Sequence, residues 1–209
     1  MSKTSPTLNK SLLLSEPVLA DRWTLGSLSK AARELVLVIA GASLVGAFAQ
    51  LSVPMWPVPV TAQTLAVMLV GAAFGLTRGA ITLASYLGLG LLVVPWFANF
   101  TGGSAAIFKP SFGFIIGFIL MAALVGFGAQ RGWDRRLSSA FLLFLGANVA
   151  LYVFGLAYLW VALAALGKTL SLSALLKIGL LPFVPGDLLK TVLAAALSPL
   201  AWKLVGAKA

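Results

Sequence analysis

Long apolar runs follow one another along this chain, and that succession limits its fold more than any other feature. They occupy residues 34–50, 62–76, 79–95, 112–129, 139–163 and 186–204. A helix needs about 20 mostly apolar residues to cross a hydrocarbon core about 30 Å thick. Only 10% of the 209 residues are charged, against about 25% in ordinary soluble domains. Too few charges remain to build a water-facing surface. The runs also lack the alternating pattern of outer-membrane barrel strands. The expectation is an all-α, polytopic membrane protein: a compact six-transmembrane-helix bundle in one domain, 34–209, preceded by a polar arm, 1–33. Runs 62–76 and 79–95 are so close that the Thr77-Arg78 pair is expected to form the hairpin between them.

Charge gives the orientation. With six spans, Lys3, Lys10, Arg22, Lys30, Arg33, Arg78, Arg131, Arg135, Arg136, Lys203 and Lys208 fall on one side. Only Lys109, Lys168, Lys177 and Lys190 fall on the other. The positive-inside rule then makes both termini cytoplasmic, in a cell (inner) membrane protein. The +10 net charge is explained by topology and anionic lipid, with no need for nucleic acid. The short patch Leu12-Leu13-Leu14 is cut off by Glu16 and Pro17, too soon for a secretory leader. Trp56, Trp96 and Trp160 are expected at the outer interface, and Trp23, Trp133 and Trp202 at or near the inner one. Seven prolines, Pro54, Pro57, Pro59, Pro95, Pro110, Pro182 and Pro185, stiffen the outer loops. A binding site is therefore expected on the outer side.

The chain has no cysteine and no histidine. Thiolate nucleophiles, imidazole bases and the usual transition-metal ligands are absent together. No catalytic centre and no metal site is expected. Asp187 is the single carboxylate on the outer half, within Pro185-Gly186-Asp187-Leu188-Leu189-Lys190. Its three-residue spacing from Lys190 puts both on one helix face. One reading is a simple helix cap, neutralised by the lysine. The other is a ligand site, in which Asp187 accepts from ligand N–H groups and Lys190 donates to a carbonyl. Asn99 offers both donors and an acceptor in the stretch Trp96-Phe97-Ala98-Asn99-Phe100-Thr101-Gly102-Gly103. Weaker pocket candidates are Trp56, Gln63, Trp96, Gly103, Asn148 and Tyr152. Asn148 and Tyr152 share a face of one span, lining a cavity or bridging to the last span. The small-residue pairs Ala42 with Gly46 and Ser43 with Ala47 allow close helix approach, within the bundle or to a partner.

Pro57-Val58-Pro59-Val60-Thr61-Ala62-Gln63-Thr64-Leu65, the aromatic-Asn-Gly-Gly stretch at Asn99, Pro110 to Gly117, and the Pro185 to Lys190 motif together resemble the BioY family. These are the biotin-specific S components of energy-coupling-factor (ECF) transporters. The resemblance implies a six-helix bundle with a pocket under outer loops that act as a lid. It also implies that Asn99, Asp187 and Lys190 hold the ureido ring of biotin, and that apolar walls take the rest. The family docks through a small-residue face of span 1 on a transmembrane coupling subunit that works with two ATPase subunits. The chain itself lacks a phosphate-binding G-x-x-x-x-G-K-[ST] loop. Biotin is cargo in such a protein, and no cofactor is implied. An S component for another vitamin, or a membrane assembly protein that binds no ligand, are the alternative readings. Phe108-Lys109-Pro110-Ser111-Phe112-Gly113 departs from the family pattern, because smaller residues usually surround this proline.

Overall fold

The computed structural model describes residues 16–23 and 28–206. The apolar patch at 12–14 and the basic residues Lys3, Lys10 and Lys208 lie outside the described residues. Among the described residues seven α-helices carry the fold: α1 (Lys30–Gln50), α2 (Gln63–Phe74), α3 (Leu76–Leu92), α4 (Phe112–Ala129), α5 (Leu137–Ala165), α6 (Leu172–Gly179) and α7 (Val184–Leu204). Two short strands, β1 (Ser52–Val53) and β2 (Val60–Thr61), pair antiparallel as a hairpin between α1 and α2. Four helices, α1, α4, α5 and α7, are long and apolar enough to cross a membrane, while α2 and α3 are shorter.

Local chemistry explains where the boundaries differ from expectation. Ser29 caps α1, its hydroxyl accepting from Ala32 N–H at 3.2 Å, so α1 begins at Lys30, ahead of residue 34. The α2–α3 turn is Gly75, and Thr77 and Arg78 belong to the first turn of α3. Gly75 adopts φ +80°, which a side chain would strain. Gly126 of α4 presses on this turn: a Cβ there would lie 2.2 Å from the Gly75 carbonyl carbon. α6 falls between the expected spans 139–163 and 186–204. Ser171 caps it by accepting from Ala174 N–H at 3.3 Å, and Leu175 anchors it in the core.

α4 packs against α2, α3 and α5; α1 against α2 and α3; α7 against α2 and α5. α2 is apolar on all sides and nine of its twelve residues are buried, as a central helix requires. The outward faces are also apolar: Leu188, Leu189, Val192, Leu193, Leu197 and Leu200 of α7 are exposed. So large an apolar exterior suits lipid rather than water.

The end where α2 and α4 finish is tied together by arginines. Residues 16–23 cross it as a strap. Arg33 donates to the Ala20 carbonyl at 2.5 Å, and Arg78 pairs with Glu34 at 2.6 Å and Asp21 at 3.4 Å. Arg135 reaches Glu16 at 3.3 Å. Trp202 corrects the interfacial expectation. It is fully buried, and its indole N–H donates to Asp134 at 2.6 Å.

Candidate functional site

At the opposite end, where α2, α4 and α7 begin, the helices enclose a cavity of about 370 Å³. Ligand pockets of small molecules usually start near 300 Å³. Its floor comes from the first turns of α2 and α7 and from the middle of α5. Phe114, Ile115 and Phe118 of α4 and Leu151 of α5 make an apolar wall. The hairpin loop, Pro54 to Pro59, and the loop residues Phe97, Ala98, Asn99 and Thr101 form the rim.

Asp187 is the buried polar centre of this cavity. It does not cap α7: that helix begins after Phe183, and the Asp187 amide already donates to the Phe183 carbonyl at 2.8 Å. The side chain instead collects three partners from three helices. Lys190 lies 2.5 Å from Oδ1, the Thr64 hydroxyl donates to the same oxygen at 3.1 Å, and the Tyr152 hydroxyl donates to Oδ2. Lys190 also donates to the Thr61 carbonyl at 2.8 Å. The pair is thus pinned to the α2 entrance, to α5 and to its own helix. Thr64 is a contributor that sequence reasoning left out of the candidate set. Its signal was present, because the motif that opens α2 places Thr61 and Thr64 one turn apart.

Gln63 is buried beside this pair. Its amide nitrogen donates to the Tyr86 hydroxyl at 2.8 Å, and that hydroxyl donates to the Trp96 carbonyl at 3.2 Å. Asn99 stands at the exposed rim in the left-handed region, φ +60°, which asparagine tolerates better than most residues. Its Oδ1 accepts from Ser52 at 3.0 Å. Its amide N–H₂ has no partner among the described residues. Gln50 holds the loop from beneath, donating to the Trp96 and Phe97 carbonyls at 3.1 and 3.3 Å and accepting from Phe100 N–H at 2.8 Å.

The sequence profile of the BioY family matches residues 19–207. The chain belongs to the BioY family. It is 34% identical over 175 residues to the biotin transporter BioY of Rhizobium etli, covering 79% of this chain and 90% of that one. It is 32% identical over 170 residues to the biotin transporter BioY of Thermotoga maritima, covering 79% and 94%. The crystal structure of an S-component for biotin from an ECF-type ABC transporter superimposes with a TM-score of 0.65 at 22% identity, over 85% of this chain and 95% of that one. The fold of this BioY chain is therefore that of an S component, and the chain is a membrane protein of a transporter family.

The other candidates separate clearly in this BioY chain. Trp56, Gln63, Asn99, Tyr152, Asp187 and Lys190 line the cavity; Trp96, Gly103 and Asn148 do not. Trp96 stacks on Tyr86 at 5.2 Å and supports the loop from behind. Gly103 makes a turn at φ +80°, its N–H donating to Gly90 at 2.8 Å. Asn148 bridges α5 to α7 through Thr191 at 3.0 Å, one turn below the cavity. The small-residue stripe of α1 also divides. Ala42 is buried, and a Cβ on Gly46 would meet Trp96 at 3.1 Å, so this pair serves packing inside the bundle. Ser43 and Ala47 are exposed on the other face. Of the two departures, Phe112 turns into the core, edge-on to Tyr158 at 6.0 Å, while Lys109 lines the cavity.

Proposed function

We propose that this chain is the substrate-binding S component of a biotin uptake transporter, and that the cavity over Asp187 and Lys190 is where biotin is held. The Asp187–Lys190 pair carries this reading. The cyclic urea of biotin presents two N–H donors and one carbonyl acceptor. A carboxylate offers about four acceptor sites and an ammonium three donors. Tyr152, Thr64 and Lys190 occupy three of the sites on Asp187, and Asp187 and Thr61 take two donors of Lys190. One acceptor and one donor remain at the floor, and the Asn99 amide N–H₂ at the rim of the same cavity has no partner among the described residues. The apolar α4 wall suits the sulfur ring and the aliphatic chain. The biotin-transporter relatives point to the same cargo.

In this reading α1–α5 and α7 are the six spans, with both termini cytoplasmic. Arg33, Arg78, Arg131 and Arg135 gather at the end away from the cavity, as the positive-inside rule asks of a cytoplasmic face. The cavity then opens outward under the hairpin loop. Delivery falls to a transmembrane coupling subunit and two ATPase subunits, for which the exposed Ser43 and Ala47 of α1 offer a close-approach face. The chain performs no chemistry on its cargo and uses no cofactor.

Titration of the purified, detergent-solubilised chain with biotin tests the proposal. Saturable binding that competes poorly with thiamine and riboflavin is expected, with loss of binding in Asp187→Ala. A folded parent that binds no biotin, or an Asp187→Ala variant that binds as well as the parent, would falsify it.

A further inference from the structure

Among the described residues, three charged ones line the cavity: Asp187, Lys190 and Lys109. The first two neutralise each other at 2.5 Å. Lys109 has no carboxylate within ion-pairing distance among the described residues. The wall therefore carries one uncompensated positive charge, and its place is informative. Asp187 is buried at the floor, whereas Lys109 is exposed and so belongs to the rim. Moving from floor to rim, the cavity offers a neutral pair rich in hydrogen bonds, then an apolar wall, then the Lys109 cation, while the other nearby ammonium, Lys168, is held over the outer Trp56 ring at 3.9 Å.

The base of the Lys109 side chain is held firmly. Its N–H donates to the Ala106 carbonyl at 3.0 Å, and its carbonyl accepts from Phe112 N–H at 3.0 Å. The Tyr158 hydroxyl of α5 donates to the nearby Ile107 carbonyl, and the Phe112 ring packs on Tyr158. Ser111 also lines the cavity, and its hydroxyl has no partner among the described residues. The segment thus presents an ammonium and a hydroxyl from a backbone anchored to two helices.

We infer that Lys109 receives the carboxylate of the ligand's side chain and sets a preference for the free acid over neutral derivatives. The inference rests on the biotin reading above. Biotin has a neutral urea at one end and a carboxylate at the other, the same order of charge as the wall. The Asp187–Lys190 pair at the floor has no net positive charge to offer a carboxylate, whereas Lys109 does, so the acid end is directed outward to Lys109. A rim cation is solvated and screened, so the gain is modest and falls with salt.

The test compares biotin with biotinamide, which has the same rings and chain but no charge. The full-length chain, purified in detergent, is titrated with each. The parent is expected to favour the acid by about five-fold, in the range of a partly exposed ion pair. Lys109→Gln weakens biotin by that factor, leaves biotinamide within about two-fold, and brings the ratio near one. Lys109→Arg retains the preference, because the charge is kept. Unchanged thermal midpoints establish that the variants are folded. A Lys109→Gln variant that keeps the full preference overturns the assignment; a lysine committed to solvent or to lipid phosphate gives that result. A parent that binds both compounds equally also overturns it while leaving the biotin reading intact. A parent that binds neither overturns both.

Discussion

Each end of the helical bundle buries a carboxylate, and the two are treated in opposite ways. At the cavity end, Asp187 has a lysine and two hydroxyls as partners. At the strap end, Asp134 is fully buried, with the Trp202 indole on one oxygen and no partner on the other among the described residues. The Arg135 guanidinium lies over the Trp202 ring, 4.6 Å from its centre. Burial pushes the Asp134 carboxyl up to about 6, against the opposing pull of the Trp202 hydrogen bond and Arg135. The difference teaches how each group is used. Asp187 sits in a polar set with acceptor and donor capacity left over and a cavity in front of it. Asp134 is a packing element that joins the turn before α5 to the end of α7.

The sharpest way to break this contrast is to remove each carboxylate in turn. Asp187→Ala should weaken biotin binding by at least about 100-fold, because it leaves Lys190 without its partner in the cavity. Asp134→Ala should leave affinity within about two-fold, since it lies at the other end. Calorimetric titration of both variants decides the matter; equal losses would erase the distinction.

The next effect is on stability against pH. The folded form holds the Asp134 proton more tightly than the unfolded chain does. Its contribution is therefore fully present below about pH 4 and is lost as pH rises through about 6. With about two units separating the two states, the loss is roughly 3 kcal/mol. Thermal midpoints between pH 4 and pH 7 should fall accordingly in the parent, and Asp134→Asn should flatten that decline. A smaller loss, about 2 kcal/mol, is expected for Trp202→Phe, which deletes a hydrogen bond to a buried acid group; denaturation in detergent reads it. The smallest belongs to the strap. Arg78→Lys should cost about 0.5–1 kcal/mol and less at high salt, because Glu34 and Asp21 are partly exposed.

How much of this could be read in advance varies with the kind of interaction. Helix positions followed from apolar run length, and α4 spans the expected 112–129. The Asp187–Lys190 pair followed from spacing on one turn. The Gly75 turn was missed because close approach by Gly126 is a tertiary fact, and polar Thr77 and Arg78 looked like a loop. Asn148 and Tyr152 share a helix face, yet one bridges helices and the other reaches the cavity, because a single turn separates core depth from cavity depth. The partition of the α1 stripe into a buried and an exposed pair could not be seen either, since composition does not say which face meets Trp96. Thr64 was legible in part: its position was noted, but its partner is 123 residues away along the chain.

The shortness of α2 has a geometric consequence. Twelve residues make a rod about 18 Å long, in a hydrocarbon slab about 30 Å thick. With α2 taken as one of the six proposed spans, roughly 12 Å of that depth is left to the hairpin and the chamber beneath it. On the reading proposed above, in which α2 is a span that reaches the inner face, cargo held at its first turn lies more than a third of the way into the oily layer.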